Sequence, residues 1–212
     1  MNSIILENVS KSFGDRRILQ ETNLELEENG IYGFVGANGS GKTVLFKIIC
    51  GLLRPTTGEV RVNGATLGKD LDFAPDTGIL IETPSFIPYE SGFRNLKELA
   101  AIQKKISAQQ VRQAIVRVGL DDKDRKWVGK YSLGMKQRLG LAQAIMEDPA
   151  LLILDEPFNA LDKQGTSQMR QMMLDLRSQG KTILIASHNQ KDIDMLCDAV
   201  YEIDAGVLSR ER

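Results

Sequence analysis

The sequence predicts an α/β protein with a mixed or parallel sheet, an antiparallel β subdomain at its N-terminal end and an inserted α-helical subdomain. Three observations predict it. Short β-branched or apolar runs bounded by turn signals fill the first third. Helical periodicity takes over from Pro88 to Glu147. The last third alternates apolar runs of strand length with helical stretches, the pattern of a parallel sheet covered on both faces. The 212 residues suit one domain, read as a core over residues 1–87 and 149–212 with a helical subdomain over residues 88–148.

In chain order, Ile4 to Glu7, Asn23 to Glu27, Ile31 to Val35 and Glu59 to Val62 read as strands. Asn63-Gly64, between Val62 and Thr66, suits a tight hairpin turn. One helix interrupts this region, from Gly41 to about Leu52, directly after a Gly-rich loop. In the helical region Phe93, Leu96, Leu99 and Ala100 form one stripe and Val111, Ile115 and Val118 another. Asp121 to Lys126 alternates charge and reads as a solvated loop. The last third gives strand Leu151 to Leu154, helix Lys163 to Ser178, strand Thr182 to Ala186, helix Asp192 to Cys197 and strand Ala199 to Ile203.

Composition excludes several classes. Hydrophobic residues at 42% and charged residues at 26% fit a soluble globular chain rather than a disordered or fibrous one. With 27 basic against 28 acidic residues and no basic stripe, no nucleic-acid partner is expected. Cys50 and Cys197 lack metal-ligand spacing and read as buried, reduced thiols. MNSIILENVS lacks a basic region followed by a long apolar core, and no apolar run approaches the roughly 20 residues that span a bilayer. The expectation is a cytosolic chain, or one held at a membrane only through a partner.

GANGSGKT, from Gly36 to Thr43, matches G-x-x-x-x-G-K-[ST] with a strand before it and a helix after it. The glycines Gly36, Gly39 and Gly41 let the backbone curl, so that N–H groups of the loop, including Ala37, Asn38 and Ser40, point at phosphate oxygens. The helix adds its positive N-terminal dipole, Lys42 a mobile charge and Thr43 a hydroxyl for Mg²⁺. Val44 stands where such loops often carry a second hydroxyl; its backbone N–H remains, so the loss is about 1 kcal/mol at most. This loop cradles the phosphates of a Mg²⁺-bound nucleoside triphosphate.

Leu151 to Leu154 delivers Asp155 and Glu156 to the C-terminal edge of the sheet, where ligands bind in open parallel sheets. Asp155 is read as holding Mg²⁺ or its waters, and Glu156 as orienting and deprotonating the attacking water. His188 is the only histidine, and its place after the strand Thr182 to Ala186 favours contact with the γ-phosphate.

YSLGMKQRLGLA, from Tyr131 to Ala142, resembles the signature region of the ATP-binding cassette family, and the resemblance covers essentially the whole chain. Ser132 and Gly134 match the Ser and second Gly of LSGGQ; Leu133 replaces the first Gly, and Met135-Lys136-Gln137 diverges before the Gln-Arg pattern returns at Gln137-Arg138. A Ser hydroxyl and backbone amides at a helix start make an anion site. The resemblance implies that Phe13 stacks on adenine and that Asn159 to Asp162 links two nucleotide sites across a dimer. It implies a second cassette, most simply an identical one, whose ATP meets Ser132 and Gly134 in trans.

One departure narrows the subgroup. Where the family places a Gln that touches Mg²⁺ and senses the membrane partner, this chain has Glu82, in GILIETPSFIPYESGFRNL. Glu82 therefore joins Thr43 and Asp155 as a candidate metal contact. LIE-x-P-x-F-x-P with YSLGMKQRLGLA looks like the cassettes of bacitracin-type and lantibiotic self-protection exporters. The resemblance implies an ATPase motor on the cytoplasmic face of a membrane, docked near Glu82 to Leu99 onto a separate transmembrane permease and not itself inserted. The rival is a non-transport cassette ATPase acting on a soluble assembly such as an iron–sulfur scaffold.

Overall fold

Alternating burial in the N-terminal residues builds an antiparallel layer. The structure, a computed structural model, describes residues 2–212. Strands β1 (Asn2–Phe13) and β2 (Arg16–Glu27) form a hairpin. β3 (Ile31–Val35) leaves that layer for a second sheet, and α1 (Lys42–Ile49) follows it. β4 (Thr57–Val62) returns to pair with β1, and β5 (Ala65–Thr66) closes the layer in the order β2-β1-β4-β5. The turn between β4 and β5 is the expected one, with Asn63 at φ 49 and Gly64 at φ 82, the positive pair a two-residue hairpin loop requires.

The remaining elements are β6 (Thr77–Leu80), α2 (Gly92–Gln103), α3 (Ala108–Arg117), a short 3₁₀ turn at Val128–Lys130, α4 (Leu133–Ile145), β7 (Leu151–Asp155), α5 (Lys163–Ser178), β8 (Thr182–Ala186), α6 (Gln190–Leu196), β9 (Ala199–Asp204) and β10 (Val207–Arg210). The second sheet runs β10-β9-β3-β8-β7-β6, parallel except for the β10 edge. β7 and β8 are buried at every position, as a sheet covered on both faces demands. Their side chains divide by parity. Leu151, Ile153, Leu184 and Ala186 join the core shared with α1 and the antiparallel layer. Leu152, Leu154, Ile183 and Ile185 join the core built with α2 to α5.

Several expectations need correction. The helix after the loop ends at Ile49 rather than near Leu52, because the chain turns at Gly51, φ 84. β1 and β2 are longer than their apolar cores suggest; irregular pairing around Leu6 to Lys11, with Asn8 at φ 51, breaks the alternation that marks a strand in sequence. β6 and β10 carry too few apolar residues to have been read. Leu99 lies on the expected stripe but remains exposed, and Cys197 is only partly covered. Burial still pushes the Cys197 thiol up to about 12 and raises that of Cys50, so both stay protonated at neutral pH.

Candidate functional site

Strand register brings the site together. Phe34 of β3 and Asp155 of β7 both pair with Ala186 of β8, so three neighbouring strands end at one level. From that edge emerge the loop at Gly36, the acidic pair at Asp155-Glu156 and His188. β6 lies beside β7 with Leu80 opposite Leu154, which brings Glu82 out along the same edge. Beneath the loop, Phe34 meets Phe46 edge-on at 5.2 Å and stacks on Tyr201 at 5.5 Å. Such contacts are worth about 0.5–1.5 kcal/mol each beyond area burial and fix β3 against α1 and β9.

The loop itself is shaped by close approach. Gly36 has φ 140, and a Cβ there would run into the Ile203 carbonyl of β9. α1 begins at Gly41, which supplies no side-chain cap for the first-turn amides. Lys42 is buried, with its Nζ donating to the carbonyls of Gly36 at 2.7 Å and Ala37 at 3.0 Å across the loop. The Ser40 hydroxyl is buried without a hydrogen-bond partner among the described residues. A cleft of about 710 Å³ opens in front, lined by Asn38 to Val44 without Ser40, and by Phe13, Glu82, Leu133, Asp155 and Glu156. Phe13 is half exposed there, with the Lys11 ammonium 4.9 Å from its ring centroid.

The donor set suits a hard divalent cation. Thr43 Oγ1 donates to Asp155 Oδ2 at 2.5 Å, joining a hydroxyl and a carboxylate at the mouth of the loop. Burial raises the Asp155 carboxyl above the usual range, and the Glu156 and Glu82 charges add to it, while the Thr43 bond and Lys42 oppose. No cluster of three or more His, Cys, Asp or Glu able to hold a metal occurs among the described residues. The Thr43 hydroxyl and Asp155 carboxylate suit Mg²⁺, which takes one or two protein ligands and completes its shell with phosphate and water. Glu82 has another partner that the sequence reading missed. Its Oε1 meets Lys47 Nζ at 2.6 Å. Lys47 lies four residues after Thr43 on the same helix face, but Glu82 is 35 residues further on, so no local spacing announces the pair.

Glu156 is tied down on every side. It takes the left-handed conformation, φ 50, costly for a non-glycine residue. Its N–H donates to Ala186 O at 2.9 Å, and its carbonyl accepts from Gln137 Nε2 at 3.0 Å. Its Oε2 lies 2.8 Å from His188 Nδ1. His188 thus sits beside the carboxylate, and this contact was not read from sequence.

Ser132 and Gly134 lie at the start of α4, whose Leu133 and Gln137 line the same cleft as the phosphate loop. The Ser132 hydroxyl caps α4, accepting from Met135 N at 3.1 Å. A Cβ at Gly134 would lie 2.6 Å from the Ala160 carbonyl. Asp162 caps α5 through Gly165 N at 2.9 Å and faces Arg138 at 3.5 Å.

A glycine-rich loop, a hydroxyl–carboxylate pair and a second carboxylate on one sheet edge suit the chemistry of a phosphate-loop nucleoside triphosphatase. The family model described as ABC transporter matches residues 19–159, and the chain belongs to that family as an ATP-binding, ATP-hydrolysing component. It is 41% identical over 201 residues to an uncharacterised ABC transporter ATP-binding protein of Bacillus subtilis (strain 168), YybJ, covering 95% of this chain and 92% of that protein. It is 40% identical to the bacitracin transport ATP-binding protein BcrA of Enterococcus faecalis, covering 97% of this chain and 67% of that one. It is 34% identical to the lantibiotic transport ATP-binding protein SrtF of Streptococcus pyogenes, covering 98% and 89%. The subgroup resemblance read from the motifs is borne out. In fold it superposes on the ATP-binding cassette MJ0796, solved as a dimer bound to ADP and Pi, with a TM-score of 0.87, 21% identity and 99% of both chains covered.

Proposed function

We propose that this chain is the motor of a peptide-antibiotic or similar amphiphile exporter, working as an ATP-held pair on the cytoplasmic side of a separate transmembrane permease. One observation carries the cargo reading: bacitracin and lantibiotic transport proteins match along nearly the whole chain. The alternative of a soluble assembly as client is not favoured by transport relatives. No helix among the described residues is long and apolar enough to cross a membrane, so the membrane path is assigned to the partner. Residues 88–148 act as the unit that presents the signature, over a core formed by residues 1–87 and 149–212.

The division of labour follows from placement. Amides of Gly36 to Val44 and the Lys42 ammonium hold the phosphates, and Phe13 offers its open face to adenine. Thr43 and Asp155 would hold Mg²⁺, with Glu82 beside them; the bound ion supplies charge neutralisation at the transferring phosphate oxygens. Glu156 takes the proton of the attacking water, and His188, hydrogen-bonded to Glu156, stands ready to contact the γ-phosphate. Ser132 and Gly134 close over the ATP held by the second copy. The test is co-purification of the tagged chain from membranes. Recovery of an integral permease, with ATPase activity responding to a peptide antibiotic, supports the reading; recovery of soluble partners alone overturns it.

A further inference from the structure

Gln137 lies in the second turn of α4 and is buried, 7% exposed. A buried amide needs partners, since an unpaired one costs about 1–3 kcal/mol. Its Nε2 donates to the Glu156 carbonyl, which the left-handed φ of Glu156 turns away from the course of β7. Of the other anchors of Glu156, Ala186 O and His188 Nδ1 belong to β8 and the residues just after it, and Asn159 N, which donates to the same carbonyl at 3.2 Å, belongs to the following turn. Only Gln137 ties Glu156 to α4. The same helix touches the segment after Glu156 at a second point, where Gly134 packs against the Ala160 carbonyl and Ala160 is itself left-handed, φ 62.

We propose that Gln137 is a positioning residue for hydrolysis: its amide ties the Glu156 peptide group to α4, so the placement of the helix that begins at Ser132 sets the placement of the carboxylate. This rests on the reading of Glu156 as the group that accepts the water's proton. In the assembled pair the first turn of α4 meets the partner's nucleotide, so occupancy of one site bears on turnover at the other. The link is a single hydrogen bond between two rigid elements, and it carries a shift of α4 directly into the backbone of Glu156.

Gln137→Met keeps length and volume and removes the donor; Gln137→Glu turns a donor into an acceptor facing a carbonyl. Both are expected to lower kcat about tenfold or more, as misplacement of a reacting group does, with KM for ATP and equilibrium ATP affinity within about twofold of the parent. Gln137→Met placed in a Glu156→Gln background should still form the ATP-held dimer on size exclusion, which separates positioning from folding. The proposal is overturned if both variants keep the parent kcat while Glu156→Gln is inactive, or if the dimer no longer forms. Should Glu156→Gln itself turn over normally, the reading of Glu156 falls and the proposal with it.

Discussion

Two helices begin at the nucleotide cleft, and only one of them caps itself. α1 starts at Gly41 with no side-chain acceptor for its first-turn amides, and Lys42 is folded back over the loop. α4 starts at Ser132, whose hydroxyl already accepts from Met135 N. The phosphate end is therefore assembled within one chain from strand ends at a common level. The signature end is capped by its own Ser132 hydroxyl and displays Leu133 at 60% exposure. The difference teaches that the first-turn amides of α1 are left without a side-chain acceptor, while at α4 the Met135 amide is already taken within the chain.

This contrast is sharpened most by Lys42→Met, which removes the charge at the phosphate end. Charge-assisted contacts of this kind are worth about 1.5–3 kcal/mol, so ATP affinity of the isolated chain should fall about 10- to 100-fold in a calorimetric titration. Asp155→Asn should act in opposite directions on two readouts. Because burial raises its folded carboxyl value, ionisation of Asp155 opposes folding: its contribution is most favourable below the unfolded value and is lost as pH rises through the folded one. At neutral pH the variant should melt higher than the parent without nucleotide, and should lose the Mg²⁺ enhancement of ATP binding. A lower melting temperature would show that Asp155 is compensated in a way the geometry does not contain.

Ser132→Ala probes the other end. Loss of the cap should cost about 1 kcal/mol of stability in denaturant titration, leave ATP affinity of the single chain unchanged and weaken ATP-driven pairing. Weakened monomeric binding would break the contrast, since it would put the signature end in contact with the chain's own nucleotide. The smallest effect belongs to the Lys47–Glu82 pair. Its side chains are 30% and 62% exposed, so a double-mutant cycle of Lys47→Met and Glu82→Gln should give a coupling of about 0.2–1 kcal/mol, reduced by salt.

How much of this is legible in the sequence differs between elements of the same sheet. α5 and β8 were read with their full bounds, since charged-to-apolar periodicity and an unbroken apolar run of strand length are unambiguous signals. β6 escaped because four residues, TGIL, are too short for any period to show. Within the site, the loop from Gly36 to Thr43 and the pair Asp155-Glu156 are contiguous, so each local pattern names its own chemistry. Lys47 with Glu82, and Gln137 with Glu156, are contacts between segments 35 and 19 residues apart, and no local pattern reports them.

By itself the sequence determined the glycine-rich loop and the helix that follows it, because the curl of such a loop and the start of the next helix are local properties of consecutive residues. It also determined the layered α/β plan, because burial on both faces of a strand is written in its composition. The tertiary structure alone decided that Phe34, Ala186 and Asp155 end at one level, and so that the loop, the carboxylates and His188 share one edge. It alone decided the orientation of Glu156, whose left-handed backbone is held by β8 on one side and α4 on the other. Register between strands and the angle of a peptide group are set by packing across the whole sheet, which no stretch of consecutive residues encodes.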